Sequence, residues 1–353
     1  KEETEDSFVD TPATITVLSL GAGLSNETDV EKVLLGPVHT KYPNINIELI
    51  EGTTVNVLEE LIATGQIPDM IATSNFNLDR LIDLEVPLDL NPAVEKYNID
   101  ISNVVPELMN AIKAYGLNGE LYGIPFSMNY GIMAYNKEIF DRFGVEYPID
   151  GMTWDEVSEL ARKMTRMDGN EQFYGITLER PQVFSRALSL PVVDESGTKG
   201  ALQTEGYNQV FSVLNSLHTI PGMDAAEAHV NGFLVNQNVA MMPYWIAAMA
   251  VKVMPMEQDG TNFDWDLVSF PFFPERPNIG REVDFHMLMA TPAGAEKEAV
   301  YRTMEAMQTE EALRLINRGG RLTVWDNAAI LEDFAVDLNL FEGKNVSGIF
   351  SVD

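Results

Sequence analysis

A chain of 353 residues is longer than one hydrophobic core ordinarily fills, so two lobes are expected. Its formal charge of −31, from 54 acidic against 23 basic residues, opposes binding to nucleic-acid backbones and anionic membrane surfaces and favours solubility. The absence of cysteine removes disulfides, thiolate metal sites and cysteine nucleophiles together, and no run approaches the roughly 20 apolar residues of a membrane span.

The N-terminal "KEETEDSFVDTPAT" is charged and lacks the apolar core of a signal peptide, so residues 1–12 read as a polar tether. A processed exported protein can begin this way. "ATITVLSLGAG" (13–23) is a buried strand feeding a glycine loop, a helical stretch spans 30–41, and "INIELIEG" (45–52) is a second strand. "VLEELIATGQIPDMIATSN" (57–75) reads as helix, turn, strand and loop. This β-α-β-α-β alternation predicts a mainly parallel sheet covered by helices, with ligand-binding loops at its carboxyl edge.

Helices over 78–84 and 104–115 follow, and "LNGEL" (117–121) carries the Asn–Gly signature of a tight hairpin. Proline cannot donate to a sheet ladder, so Pro125 in "GIPFSMNY" marks a strand that is not central, such as one leaving one sheet for another. "TWDEVSELARKMTRM" opens with a capping box, Thr153 and Glu156. "TEGYNQVFSVLNSLHTI" (204–220) places Val210, Phe211, Leu214 and Leu217 on one helical face. "NVAMMPYW" (238–245) is a short strand that turns at Pro243 into a helix, and "WDLVSFPFFPERP" (265–277) is a strand interrupted by Pro271. "FHMLMATP" is another strand, and residues 295–320 form two helices with Thr309 capping the second.

Chemistry-bearing motifs are sparse. His39, His218, His229 and His286 show no metal-ligand spacing, and HExxH, EF-hand, GxSxG, Walker and GxGxxG patterns are all missing. No metal or cofactor is therefore expected, and "MDGNEQ" (167–172) reads as a turn. Glycosidase chemistry needs a carboxylate pair, and nothing singles one out among so many acids. The aromatic residues say more. Trp245 follows Tyr244 at a strand-to-helix junction; the pattern allows either a core indole or a face for stacking on a sugar ring. Trp154, inside the capping box, reads as a packing residue, while Trp265 and Trp325 fit either role.

"GELYGIPFSMNYGIMAYNKEIFDRFGVEYPIDGMTWDEVSELARKM" resembles the passage into the second lobe of extracellular solute-binding proteins of ABC importers, in the carbohydrate-binding, maltose-binding-protein-like class. "IPDMIATSN" resembles that family's Pro–Asp strand and its cleft-facing loop. "GFLVNQNVAMMPYWIA" is similar to the segment before its cleft tryptophan, with Asn236 or Gln237 where glycine is usual. "LVSFPFFPE" and "NRGGRLTV" are similar to the second and third crossovers. The family's first binding loop is often polar and aromatic, whereas "SLGAGLS" offers little beyond Ser19 and Ser25.

The resemblance implies an α/β, two-lobed periplasmic-binding-protein-like fold, each lobe a mainly parallel sheet flanked by helices, with the ligand cleft between lobes. The N-terminal lobe would comprise 13–124 and 271–320, and the C-terminal lobe 125–270 and 321–353, hinged at Pro125, Pro271 and the 321–324 crossover. It implies a non-enzymatic receptor that binds a carbohydrate, an oligosaccharide above all, and delivers it to the membrane subunits of an ABC importer. The receptor would be a monomer outside the cytoplasmic membrane, lipid-anchored through a cysteine upstream of Lys1, without nucleic-acid partners. The implied contacts are Ser74, Asn75 and Asp284 from the first lobe, with Asn129, Tyr130, Glu179, Arg180, Tyr244 and Trp245 from the second. The same fold holding a peptide or polyamine, and a carbohydrate-active enzyme, are the alternatives.

Overall fold

The computed structural model describes residues 8–9, 11–50, 52, 54–282 and 284–351. Ten strands run along them: β1 (Ala13–Leu20), β2 (Ile45–Ile50), β3 (Met70–Ser74), β4 (Ile124–Asn129), β5 (Gly131–Asn136), β6 (Arg166–Asp168), β7 (Glu171–Phe173), β8 (Met241–Trp245), β9 (Trp265–Ser269) and β10 (Asp284–Ala290). The chain forms two compact units, Lys1–Asn129 with Val283–Asn339 and Tyr130–Glu282 with Leu340–Asp353. Most of the expected tether, residues 1–7 and 10, lies outside the described residues. Phe8, at its end, sets its ring edge-on to Tyr42 at 5.8 Å.

The first unit holds one five-stranded sheet in the order β2-β1-β3-β10-β4. β1 runs parallel to β2 and β3, as the alternation predicts, and β10 runs antiparallel to both β3 and β4. β1 alternates polar and buried residues at its start and is wholly buried from Val17 onward, as a strand covered on both faces must be. The helix Val55–Thr64 ends at Gly65 in the left-handed region, a common helix stop that returns the chain to β3.

Pro125 lies inside β4, which ends the sheet order, and its partner is Met287, beside a register shift between His286 and Met287. The missing N–H is thus tolerated at an edge and a bulge, so Pro125 is not the crossing point. The chain changes unit after Asn129, after Glu282 and after Asn339, not at 124/125, 270/271 and 320/321. The pattern breaks at Pro125, Pro271 and Gly319–Gly320 mark an edge strand, a strand end and a helix end instead. "LNGEL" is a turn without flanking strands among the described residues; the Glu120 carboxylate accepts from the Asn118 backbone N–H and side-chain amide at 2.8 and 3.0 Å.

The second unit departs from the expected parallel sheet. Its three strands lie in the order β8-β5-β9, and β5 is antiparallel to both neighbours. The helix Ile246–Asp259 joins β8 to β9, which run in the same direction as such a crossover requires, but β5 is inserted between them. β6 and β7 form a separate hairpin over the "MDGNEQ" turn. Pro243 sits within β8 at the sheet's edge, and the strand continues to Trp245 rather than turning at the proline.

The core of this unit gathers around Trp154, 1% exposed, whose ring meets Phe184 at 4.7 Å and Phe270 at 5.5 Å. The Thr153–Glu156 capping box starts its helix, Trp154–Met164. Trp265 is also a core residue. In the helix Glu205–His218 the buried stripe is Tyr207, Val210, Val213 and Leu217, and Phe211 is 49% exposed. One residue past Val210 is a turn of about 100° around the axis, which carries Phe211 off the i, i+3, i+4 stripe.

Candidate ligand-binding site

Strand direction gathers one set of residues at a single edge of the first unit's sheet. β3 ends at Ser74 and β4 at Asn129, while β10, running the other way, begins at Asp284. Asp284 pairs in register with Asn129, whose Nδ2 donates to Asp284 Oδ2 at 3.0 Å. The Phe285 backbone N–H donates to Asn75 Oδ1 at 3.4 Å, tying the loop after β3 to the start of β10. Ser74 stands opposite His286 in the ladder. The structure brings Ser74, Asn75 and Asp284 to one sheet edge, and Asn129, assigned from sequence to the other lobe, lies at the same edge.

Two residues at this edge lay outside the sequence expectations. His286 Nδ1 and Ser127 Oγ share a hydrogen bond of 2.9 Å, and burial, helped by the Arg321 charge, pushes the histidine down to about 3. Its ring is therefore neutral at ordinary pH. Arg321 donates through Nη1 to the Ala22 carbonyl and through Nη2 to the Gly23 carbonyl, both at 2.8 Å. Gly23 permits this: its φ is +69°, and a Cβ there would stand 2.6 Å from the guanidinium. Burial lowers Arg321 to about 10, so it stays charged at neutral pH and anchors the β1 loop. Ser19, near the end of β1, is buried, its hydroxyl accepting the N–H of Leu24 in that loop at 3.3 Å.

The second unit carries the aromatic set. β8 delivers Tyr244 opposite Ile132 and Trp245 opposite Gly131, and both aromatic side chains remain partly exposed. Trp245 is the last strand residue, directly before the helix Ile246–Asp259, and is partly exposed rather than fully buried. The Ile246 N–H donates to the Tyr130 carbonyl at 3.0 Å, which holds this junction against the start of β5. Tyr130 presents its ring edge-on to Phe350 at 6.3 Å.

Glu179 is partly buried, and burial raises its carboxyl above the ordinary range while the Arg281 charge pulls it down. The Tyr244 phenol is raised too, by burial first and then by Glu179, so Tyr244 is a neutral hydroxyl donor. Arg180 is exposed, immediately before the helix Pro181–Ala187. Arg281 is the residue sequence reasoning missed here: its guanidinium carbon lies 3.7 Å from the Trp245 ring centroid. The one available signal was a cation in "NIGREVDF", directly before the strand that carries Asp284. Among the described residues no cluster of three or more His, Cys, Asp or Glu could hold a metal ion, and no helix is long and apolar enough to cross a membrane.

Residue sets at the strand ends of α/β sheets lie where ligands ordinarily bind in such folds. A family profile described as bacterial extracellular solute-binding protein matches residues 25–313, and the chain belongs to that family. It is 32% identical over 194 residues to an arabinooligosaccharide-binding protein of Halalkalibacterium halodurans. That stretch is 50% of this chain and only 43% of the relative. Among solved structures, the ABC substrate-binding protein Lmo0181 of Listeria monocytogenes, in complex with cycloalternan, superposes with a TM-score of 0.74 at 20% identity, over 96% of this chain and 86% of that one. The GacH receptor of Streptomyces glaucescens, studied unliganded and with acarbose, gives 0.69 at 16% identity over 98% and 88%. These two likenesses establish the fold.

Proposed function

We propose that this protein is a non-enzymatic receptor that captures a carbohydrate, an oligosaccharide above all, and delivers it to the membrane subunits of an ABC importer. It works as a monomer on the extracellular face of the cytoplasmic membrane, with the lipid anchor that the family resemblance implies. The observation that carries the reading is the partly exposed Tyr244–Trp245 pair at a strand–helix junction, with Glu179 electrostatically coupled to Tyr244. An indole face accepts the C–H face of a sugar ring, while carboxylate and phenol take its hydroxyls. The binding of arabinooligosaccharide by the relative, and of cycloalternan and acarbose by the structural neighbours, supports the same class of ligand.

The polar set Ser74, Asn75, Asn129 and Asp284 in the first unit offers further contacts for sugar hydroxyls, and Tyr130 and Arg180 in the second unit are additional candidates. The crossings after Asn129, Glu282 and Asn339 then act as hinges. Thermal-shift screening against mono- and oligosaccharides, arabino-oligosaccharides included, tests the reading. A ligand at 100 times its dissociation constant adds about 2.7 kcal/mol to stability. A protein that ignores every sugar and responds to a peptide or polyamine has another ligand. Recovery of the bound sugar unchanged separates a receptor from a glycosidase. Small-angle scattering at saturating sugar should give a smaller radius of gyration, and an unchanged profile would rule out closure.

A further inference from the structure

The Trp245 indole has a neighbour that decides which of its faces a ligand can use. Arg281 places its guanidinium carbon 3.7 Å from the indole centroid and 5.2 Å from that of Phe270. The arginine side chain is only 8% exposed. Gly131, the register partner of Trp245, leaves room for it: a Cβ at Gly131 would lie 2.4 Å from Arg281 Cδ. The guanidinium donates through Nε and Nη2 to the Glu282 carboxylate at 3.1 and 3.4 Å, and Arg186 Nη1 reaches the same carboxylate at 3.3 Å. A surface arginine resting on a ring by chance would be solvated and would need no glycine beneath it. This one is buried, oriented by a two-point hydrogen bond and accommodated by the strand opposite.

We propose that Arg281 is a specificity-determining residue of the carbohydrate site: it covers one face of Trp245 and fixes the ring's orientation, so that the indole serves a single sugar ring on its other face. This rests on the receptor reading above. The cation has a second effect on the same site. Burial raises Glu179, Arg281 lowers it, Glu282 raises it and Arg180 lowers it, while Tyr244 also faces it. Without the Arg281 charge Glu179 would take up its proton at higher pH and would lose one acceptor for sugar hydroxyls there.

Two variants separate the parts of the claim. Arg281→Met keeps an apolar stem over the ring without charge, and Arg281→Lys keeps the charge without the planar fork. Each is made in the full chain, with and without Trp245→Phe, so that the emission of Trp245 is obtained by difference. Arabinotriose is then titrated at a series of pH values from acid to neutral. Arg281→Met is expected to shift the Trp245 emission in the apo protein and to weaken arabinotriose binding about tenfold. Its binding should also fall away at a higher pH than in the wild type as acid is added, with Arg281→Lys between the two. Unchanged emission in both variants overturns the clamp, and wild-type affinity with a wild-type pH profile in Arg281→Met overturns the specificity role. If the methionine variant does not fold, the lysine variant carries the same readings. A wild-type protein that binds no sugar refutes the receptor reading instead, and the apo emission still decides whether Arg281 holds the indole.

Discussion

At the carboxyl edge of the first unit's sheet, the nominated side chains are tied to their own scaffold: Asn129 to Asp284, Asn75 to the backbone of Phe285. In the second unit the nominated residues are aromatic and charged, and Trp245 is steadied by a cation across its face. The two chemistries have different costs. Polar groups held by strand ends are oriented before a ligand arrives, so little freedom is lost on binding. An indole offers area with few rotamers to freeze, but one partly exposed at a strand–helix junction needs something to keep it in place.

The contrast stands or falls on a set of measurements. Trp154 and Trp245 lie in the same unit, yet one is core and the other partly exposed. Trp154→Ala should remove about 3–5 kcal/mol of folding stability in urea titrations. A similar loss on Trp245→Ala would make both of them core residues.

His286 tests the first unit through pH. Its folded value of about 3 lies below the ordinary 6.5 because of burial. Between those values the unfolded chain binds a proton that the folded chain does not, so acid favours unfolding. The stabilisation from the neutral ring is complete above about pH 6.5 and drains away as pH falls toward 3, at up to about 1.4 kcal/mol per pH unit. Urea midpoints of the wild type and His286→Gln, taken at a series of acid pH values, should show a flatter profile in the variant. Equal slopes would mean that the histidine is not held neutral.

For binding, Trp245→Ala should leave the apo melting temperature close to normal and weaken the sugar by about 2 kcal/mol, roughly thirtyfold. Unaltered affinity in the folded variant would deprive the second unit of its platform. The smallest effect concerns a group remote from any ligand. Thr153→Ala removes the side-chain half of a capping box, leaving the backbone N–H of residue 153 to the Glu156 carboxylate, and should cost about 1 kcal/mol of stability with sugar affinity unaltered. A change in affinity there would blur the line between scaffold and site.

Much of this protein is written in short-range pattern. The alternation before residue 75 predicts β1, β2 and β3 and their parallel pairing, and the caps at Thr153 and Thr309 fall where Ser/Thr–x–x–Glu spacing and helix periodicity put them. These features follow from backbone hydrogen bonding and side-chain periods within a few residues, which a sequence displays directly. The aromatic pair at 244–245 was visible for the same reason. What stayed hidden depends on contacts between distant segments. Asn129 and Asp284 meet across 155 residues, and β5 slips between β8 and β9 although a helix joins those two in the chain. Pro125 and Pro243 looked like boundaries because the sequence cannot say which strands are edges, and only an edge tolerates a missing donor. Arg281 reads as one cation among many. Its burial on Trp245, in the space left by Gly131, exists only once three segments far apart in sequence have been brought together, because burial and cation–π contact are properties of proximity and not of order along the chain.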